Sequence, residues 1–393
     1  MTGLDVAAAV AAASPVLLGG YAYVGYPALL AALRPLVGRR RVPGPEDVAE
    51  WPEITITVPC YNEAAGIAAT LDRLLAVDYP AERRRIVVLS DASSDGTDDI
   101  VRRYADRGVV LLRLPERRGK SAAENAAFGA LWGTIVVNTD ATTVIPPGSI
   151  KPLVAAFTDA TVGVASGRDV SVTAVAAEAN QGEAGYVGYE MWVRQLETAI
   201  DGIVGASGCF YAIRRSLYPS DFPEHLSRDF GSPLLARAAG YRAVSVHAAV
   251  CGVPRAGGLE QEYRRKVRTM ARGLRTLWYQ RHLLNPFRYG WFAWMLASHK
   301  LARWLVYPAL LVSLVGCLVL AWRSPAGVAL LAAVAAGVAV GWLGWRWPWA
   351  TARPKVLSIS GFALAANVAG LGAWRRALSG TRDAVWEPTR RTA

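Results

Sequence analysis

Three aspartates stand where a carboxylate could meet a ligand: Asp91 in VLSDASSDGTDDI, Asp140 in GTIVVNTDATT and Asp229 in EHLSRDFGSPLL. Asp91 could accept hydrogen bonds from a nucleobase N–H or ribose hydroxyls. Asp140 follows the apolar run Ile135–Val137 as a lone acid. There it could hold a divalent cation, Mg2+ or Mn2+, with water and a diphosphate filling the remaining positions. Such a cation would offset charge on a leaving group. Asp229 lies ahead of a helix, where a carboxylate can act as a general base; stabilising the helix N-terminus is the competing use.

Other polar residues gather around these acids. In TVPCYNEAAGI, Pro59 is expected to halt a strand, and Asn62 and Glu63 follow where a helix begins. Capping of that helix by Asn62 explains the pattern equally. Asp95 reads as a turn residue and cap at Thr97. In PERRGKSAAENAAFGA, Gly119 and Lys120 open a small-residue helix that could set an ammonium near a phosphate or base; a solvated basic surface is the alternative. The turn Gly205–Gly208, which includes Ser207, lets a ligand approach the backbone or serves packing alone. The segment LEQEYRRKVRTMARGLRTLWYQR holds Arg265 and Arg268 in a helix basic on several faces. A membrane surface and a diphosphate clamp both suit it, and they are compatible.

The elements that must position these residues follow from hydrophobic patterning. Between about Trp51 and Gln280, the apolar runs Ile54–Val58, Ile86–Leu89, Val109–Leu114 and Thr134–Val137 alternate with helical stretches such as AAGIAATLDRLLA and GTDDIVRRYAD. That alternation predicts a parallel sheet flanked by helices, with functional groups beyond the carboxyl ends of its strands. Both ends of the chain are apolar. Residues 1–38 predict a transmembrane anchor, retained rather than cleaved as a signal peptide, because the basic cluster follows the apolar run. Residues 51–280 form the α/β domain, 287–304 an interfacial helix, and 304–378 about three further spans with Trp at their ends.

The chain is 53% hydrophobic yet carries a formal net charge of +12, which suits a membrane protein with basic cytoplasmic surfaces. No nucleic-acid motif gathers that charge, so nucleic acid is excluded as a partner. The four cysteines, Cys60, Cys209, Cys251 and Cys317, are scattered, as in a reduced setting without thiolate metal sites. Arg39, Arg40 and Arg41 place the α/β domain in the cytoplasm. Four spans would leave the tail outside, yet it carries Arg375, Arg376, Arg382, Arg390 and Arg391. Positive-inside bias opposes that count.

Taken together, the blocks VPCYNE, SDASSDGT, RRGKSAAEN, NTDATT, GVASGRD, VGASGCFYAIRR, SRDF and YRRKVRTMARG resemble family 2 glycosyltransferases. The resemblance is to the membrane-bound kind related to cellulose, chitin, hyaluronan and poly-N-acetylglucosamine synthases, and it runs from about Pro52 to Leu310. It implies a GT-A type fold, Rossmann-like and mostly parallel, with flanking transmembrane helices. It also implies inverting transfer from a nucleotide diphosphate sugar, UDP-sugar favoured, to a saccharide or lipid-linked acceptor in exopolysaccharide or cell-envelope glycan synthesis. By position Asp91 resembles the family's uridine-binding aspartate. Pro59, Tyr61, Asn62, Glu63, Gly119 and Lys120 fall in nucleotide-contacting blocks, and Gly205, Ser207, Arg265 and Arg268 complete the implied donor site. Asp140 matches the first acid of the Asp-x-Asp metal motif, and Asp229 the catalytic base.

The implied setting is a multi-pass protein of the inner membrane with membrane lipids as neighbours; a partner subunit is left unknown. Three departures stand out. Thr142 replaces the second metal acid, and Arg228 replaces the acid before the base, which would set a guanidinium beside it. The Gln-x-x-Arg-Trp block reads RRKVRT, which keeps Arg268 without the Gln or the Trp; Trp278 is a substitute aromatic. These leave two alternatives: a non-processive glycolipid or polyprenyl-phosphate sugar transferase, and an inactive glycosyltransferase-like membrane scaffold.

Overall fold

A computed structural model describes residues 2–37, 41–172, 178–254, 259–347 and 354–380. Arg39, Arg40, Arg382, Arg390 and Arg391, used above to argue topology, lie outside the described residues. The chain opens with α1 (Gly3–Gly20) and, after a π-helical turn, α2 (Tyr26–Val37). Strands β1 (Ile54–Cys60), β2 (Arg84–Ser90), β3 (Val109–Arg113) and β4 (Ile135–Thr139) alternate with α3 (Ile67–Leu75), α4 (Thr97–Arg102) and α5 (Lys120–Ala126). Then come α6 (Ile150–Ala155), β5 (Val162–Val172), α7 (Glu178–Ile200), β6 (Phe210–Arg214), α8 (Arg228–Ala238) and β7 (Arg242–Pro254). The helices α9 (Leu259–Tyr279), α10 (Pro286–Leu296), α11 (Arg303–Arg323), α12 (Pro325–Arg346) and α13 (Lys355–Leu378) close the described chain.

The chain divides into two units. The first contains Ala32–Gly257 and Arg275–Phe292, and is built on one seven-stranded sheet of order β3-β2-β1-β4-β6-β5-β7. The β1 to β4 pairings and the β5–β7 pairing are parallel, while β6 runs antiparallel to β4 and β5. Every residue of β1 is buried, as expected of a parallel strand covered on both faces. Ile54, Ile56 and Val58 pack with Ile67 and Leu71 of α3 and Leu153 of α6. On the other face, Val87, Leu89 and Val136 pack with Ala122 and Ala123 of α5 and Ala236 of α8. The small residues of α5 let that helix lie close against the sheet.

Two local expectations are corrected. Pro59 does not halt β1, which pairs with β2 through Cys60; pairing with β4 has already ended at Thr57. A proline, lacking an N–H, is tolerated where one side of a ladder is gone. Helix α3 begins at Ile67 rather than at Asn62, after a turn in which the Glu63 carbonyl accepts from the Gly66 and Ile67 amides.

Strand direction decides what reaches the functional edge. Cys60 and Ser90 are register partners, so β1 and β2 end together. Because β6 is antiparallel to β4, its first residue, Phe210, faces the last of β4, Thr139. The Gly205–Gly208 turn is thereby delivered beside Asp140.

The second unit contains Met1–Ala31, Gly258–Leu274 and Ala293–Thr381. Among the described residues, four helices are long and apolar enough to cross a membrane: Gly3–Val37, Pro286–Arg323, Pro325–Arg346 and Lys355–Leu378. The stretch expected to be interfacial is continuous with the first of the three later candidates, with a break at Gly290. Within this unit the Ser313 hydroxyl of α11 donates to the Ala12 carbonyl of α1 at 2.6 Å, and Arg323 pairs with Asp5.

Candidate functional site

The loops after β1 and β2 are clipped together. Asn62 Oδ1 accepts from the Ser94 amide at 2.8 Å, and the Asn62 amide donates to the Ser93 hydroxyl at 3.2 Å. Asn62 is therefore a clip between loops and does not cap a helix. Asp95 takes the Thr97 amide and hydroxyl on Oδ1 and the Ala64 amide on Oδ2. Partial burial opposes ionisation of Asp95, but these hydrogen bonds outweigh it and hold the carboxyl below its ordinary value. Asn62 (φ 53°) and Ala92 (φ 57°) are the non-glycine residues with left-handed backbone among the described residues. Each stands two residues beyond the end of a strand, β1 or β2, and strain of this kind concentrates at functional edges.

Asp91, buried at the end of β2, accepts the Arg118 amide on Oδ1 and the Gly119 amide on Oδ2, both at 2.8 Å. It thereby fixes the turn that opens α5, in which Gly119 adopts φ 97°. A carboxylate has further lone pairs beyond these two bonds, so a ligand can still be accepted. Beside this turn the Arg117 guanidinium stacks over the Tyr61 ring at 3.8 Å.

One residue further on, the Lys120 ammonium lies 2.6 Å from Asp140 Oδ1 and 3.2 Å from the Gly208 carbonyl. Burial alone would lower the ammonium's pKa, but the carboxylates of Asp140 and Glu124 outweigh it and hold the pKa above its ordinary value. Gly208 also faces the third aspartate: a β-carbon on it would stand 3.0 Å from Asp229 Oδ2. Asp140, Lys120, Gly208 and Asp229 are thus neighbours along one edge, with Asp91 anchoring the lysine's turn.

The Gly205–Gly208 turn is held from below. Arg194 of α7 donates to the Ala206 carbonyl at 3.2 Å, and the Ser207 amide donates to the Ser166 hydroxyl at 2.8 Å. The Ser207 hydroxyl donates to Asp169 Oδ1 at 2.5 Å. Ser207 and Gly205 are buried in this turn.

Asp229 is the second residue of α8, and its carboxylate accepts the Ser227 hydroxyl. The guanidinium of Arg228, expected beside Asp229, has its carboxylate partner elsewhere. It points into the protein, 3.3 Å from Glu124 Oε2, and donates to Asn125 Oδ1 and the Pro219 carbonyl. Burial pushes the Glu124 carboxyl up, with Lys120 and Arg228 opposing the rise. Glu124 and Asp169 were not singled out from sequence. A lone acid inside the small-residue helix SAAEN was the available signal for Glu124; Asp169 stood at the end of GVASGRD.

A divalent cation would meet one carboxylate, Asp140, at this edge; no cluster of three His, Cys, Asp or Glu residues exists among the described residues. One carboxylate with diphosphate oxygens and water is a donor set Mg2+ commonly takes. The residues therefore fit a cation that arrives with a diphosphate. Arg265 and Arg268 lie on the part of α9 belonging to the second unit. Burial and then the neighbouring Arg272, Arg265 and Arg376 hold the Arg268 guanidinium below its ordinary value.

Residues 55–219 match the profile described as Glycosyl transferase family 2. The chain is 33% identical over 101 residues to a probable glycosyltransferase, YdaM, of Bacillus subtilis, covering 24% of each chain. It is 33% identical over 122 residues to an N-acetylglucosaminyltransferase of Rhizobium sp. strain N33, covering 30% of this chain and 27% of that protein. These alignments span about a quarter of the relatives' lengths. Among solved structures, the mannosyltransferase PcManGT of Pyrobaculum calidifontis, in complex with GDP-Man and Mn2+, superposes with a TM-score of 0.70. It has 24% identity and covers 95% of this chain and 99% of its own, a likeness of fold. Residues 55–219 are thus similar to a family 2 glycosyl transferase domain, on a mostly parallel sheet of the GT-A type.

Proposed function

We propose that the protein is an inverting glycosyltransferase that moves a hexose or N-acetylhexosamine from a nucleotide diphosphate sugar, UDP-sugar favoured, to a saccharide or lipid-linked acceptor. The observation that carries this reading is the row of neighbours from Asp140 through Lys120 and Gly208 to Asp229. It joins a group able to meet diphosphate charge to a group able to take a proton.

In this reading Asp91 and the Tyr61–Arg117 stack face the nucleoside, and the Lys120 ammonium meets the diphosphate. A divalent cation on Asp140, when bound, would neutralise charge on the departing diphosphate. Asp229 takes the proton from the acceptor hydroxyl as its oxygen bonds to the anomeric carbon and the bond to the diphosphate breaks. One in-line displacement inverts the configuration, so a single base suffices. Arg265 and Arg268 of the basic helix α9 are proposed anion-binding residues.

The four apolar helices support a setting in the inner membrane, with the domain proposed to face the cytoplasm. Loss of the Gln and Trp around Arg268 favours single transfers to a lipid-linked acceptor over long-chain polymerisation. A donor screen in membranes with Mg2+ or Mn2+, with product mass measured, tests the proposal. One sugar on a lipid supports single transfer, a ladder indicates polymerisation, and nucleotide binding without turnover of any donor would indicate the inactive scaffold.

A further inference from the structure

We infer that Glu124 and Arg228 form a buried positioning pair that aims Asp229 by tying α8 to α5. The inference rests on Asp229 being the base, and it concerns what holds that base in place. The side chains of Glu124 and Arg228 are 1% and 3% exposed, and their charged atoms approach to 3.3 Å. That approach of Nε to Oε2 is a charge contact without a hydrogen bond, and the guanidinium is oriented by its other two nitrogens. Nη2 donates to Asn125 Oδ1 and Nη1 to the Pro219 carbonyl, while the rings of Tyr218 and Phe222 lie 4.9 and 5.3 Å from Cζ.

The surrounding frame is fixed as well. Asn125 exchanges two hydrogen bonds with the Phe222 backbone, and the Tyr218 hydroxyl donates to the Glu124 carbonyl at 3.0 Å. Glu124 sits one helical turn after Lys120 on α5, and Arg228 immediately precedes Asp229 on α8. The pair therefore links the helix that presents the ammonium to the helix that presents the carboxylate. A buried ion pair is a poor source of stability compared with apolar packing, because both charges lose their hydration. What a planar guanidinium held by a fork of partners offers instead is direction. It fixes the rotation of the first turn of α8 and so the aim of Asp229.

The test uses the full-length protein in membranes with the donor found in the screen, and measures kcat, donor KM and nucleotide binding. Glu124→Gln and Arg228→Met are each expected to lower kcat by about 10- to 100-fold, the scale of a small misplacement of a reacting group. Donor KM and nucleotide affinity should stay within about 3-fold, and the double variant should be no worse than the weaker single, as for two members of one contact. Single variants at the wild-type kcat, or losses that multiply in the double, would overturn the inference. Should the singles not accumulate, Arg228→Lys keeps the charge and loses the fork; it should show the same loss confined to kcat, and full activity would overturn the pair. Asp229→Asn separates the two levels. Its retention of kcat would remove the base on which the inference rests, whereas its inactivity beside fully active pair variants would remove the inference alone.

Discussion

The Lys120 ammonium lies 2.6 Å from Asp140 Oδ1 and also donates to the Gly208 carbonyl, so a cation built into α5 joins the ends of β4 and the turn before β6. That cation can neutralise part of a diphosphate's charge at the same place where Asp140 can hold a divalent ion. Lys120→Met should weaken binding of the nucleoside diphosphate by about 10- to 100-fold, the value of a charge-assisted hydrogen bond. Isothermal titration with purified protein measures this. An unchanged affinity would remove Lys120 from the donor site.

Gly208 has no room for a side chain on the face of Asp229. In Gly208→Ala the new β-carbon would stand 3.0 Å from Asp229 Oδ2, tighter than ordinary contact, and the carboxylate must shift. Transfer should fall by roughly 10- to 100-fold, while thermal unfolding moves little because the turn lies at the sheet edge. Steady-state rates and a melting curve on the same preparation separate these effects.

Ala92 carries a left-handed backbone that an L side chain disfavours. Ala92→Gly relieves about 1–2 kcal/mol of that strain and loses about 0.5–1 kcal/mol to the freer unfolded chain. A net gain between about 0 and about 1.5 kcal/mol is expected in denaturant unfolding. Destabilisation by the substitution would show that the loop is not strained at this residue.

Acid stability should depend on Asp95 and Asp159. Partial burial opposes ionisation of each; the hydrogen bonds from Thr97 and Ala64 to Asp95, and from Thr161 and Arg242 to Asp159, outweigh it and lower both carboxyls from 3.8. A group depressed in the folded state contributes stability that is complete above its unfolded value. That contribution is lost as pH falls below 3.8 and through the folded values. Stability measured against pH should decline over that acid range, and Asp95→Asn should flatten the decline.

Much of this edge was legible because apolar runs ended in acids. Asp91 and Asp140 each follow a run that became a parallel strand, β2 and β4, and the strands' parallel register carries both to one side. What the sequence did not convey was direction and partnership. FYAIR is a buried strand with no mark of polarity, so the antiparallel course of β6, which brings Gly208 to Asp140, was not foreseen. Arg228 was expected to bear on Asp229; its partner Glu124 lies far back in the chain, beyond the reach of spacing rules. Pro59 likewise reads as a terminator until the pairing shows that one neighbouring strand has already left.

The most direct test is Asp229→Asn, assayed for both nucleotide binding and sugar transfer in the same membranes. If this side chain is the proton acceptor at the Lys120–Gly208 junction, affinity for the nucleoside diphosphate stays within about 3-fold and transfer falls by about 100- to 10,000-fold, the range of a lost general base. Transfer by the variant at the wild-type rate would contradict the assignment of this edge as the reacting centre.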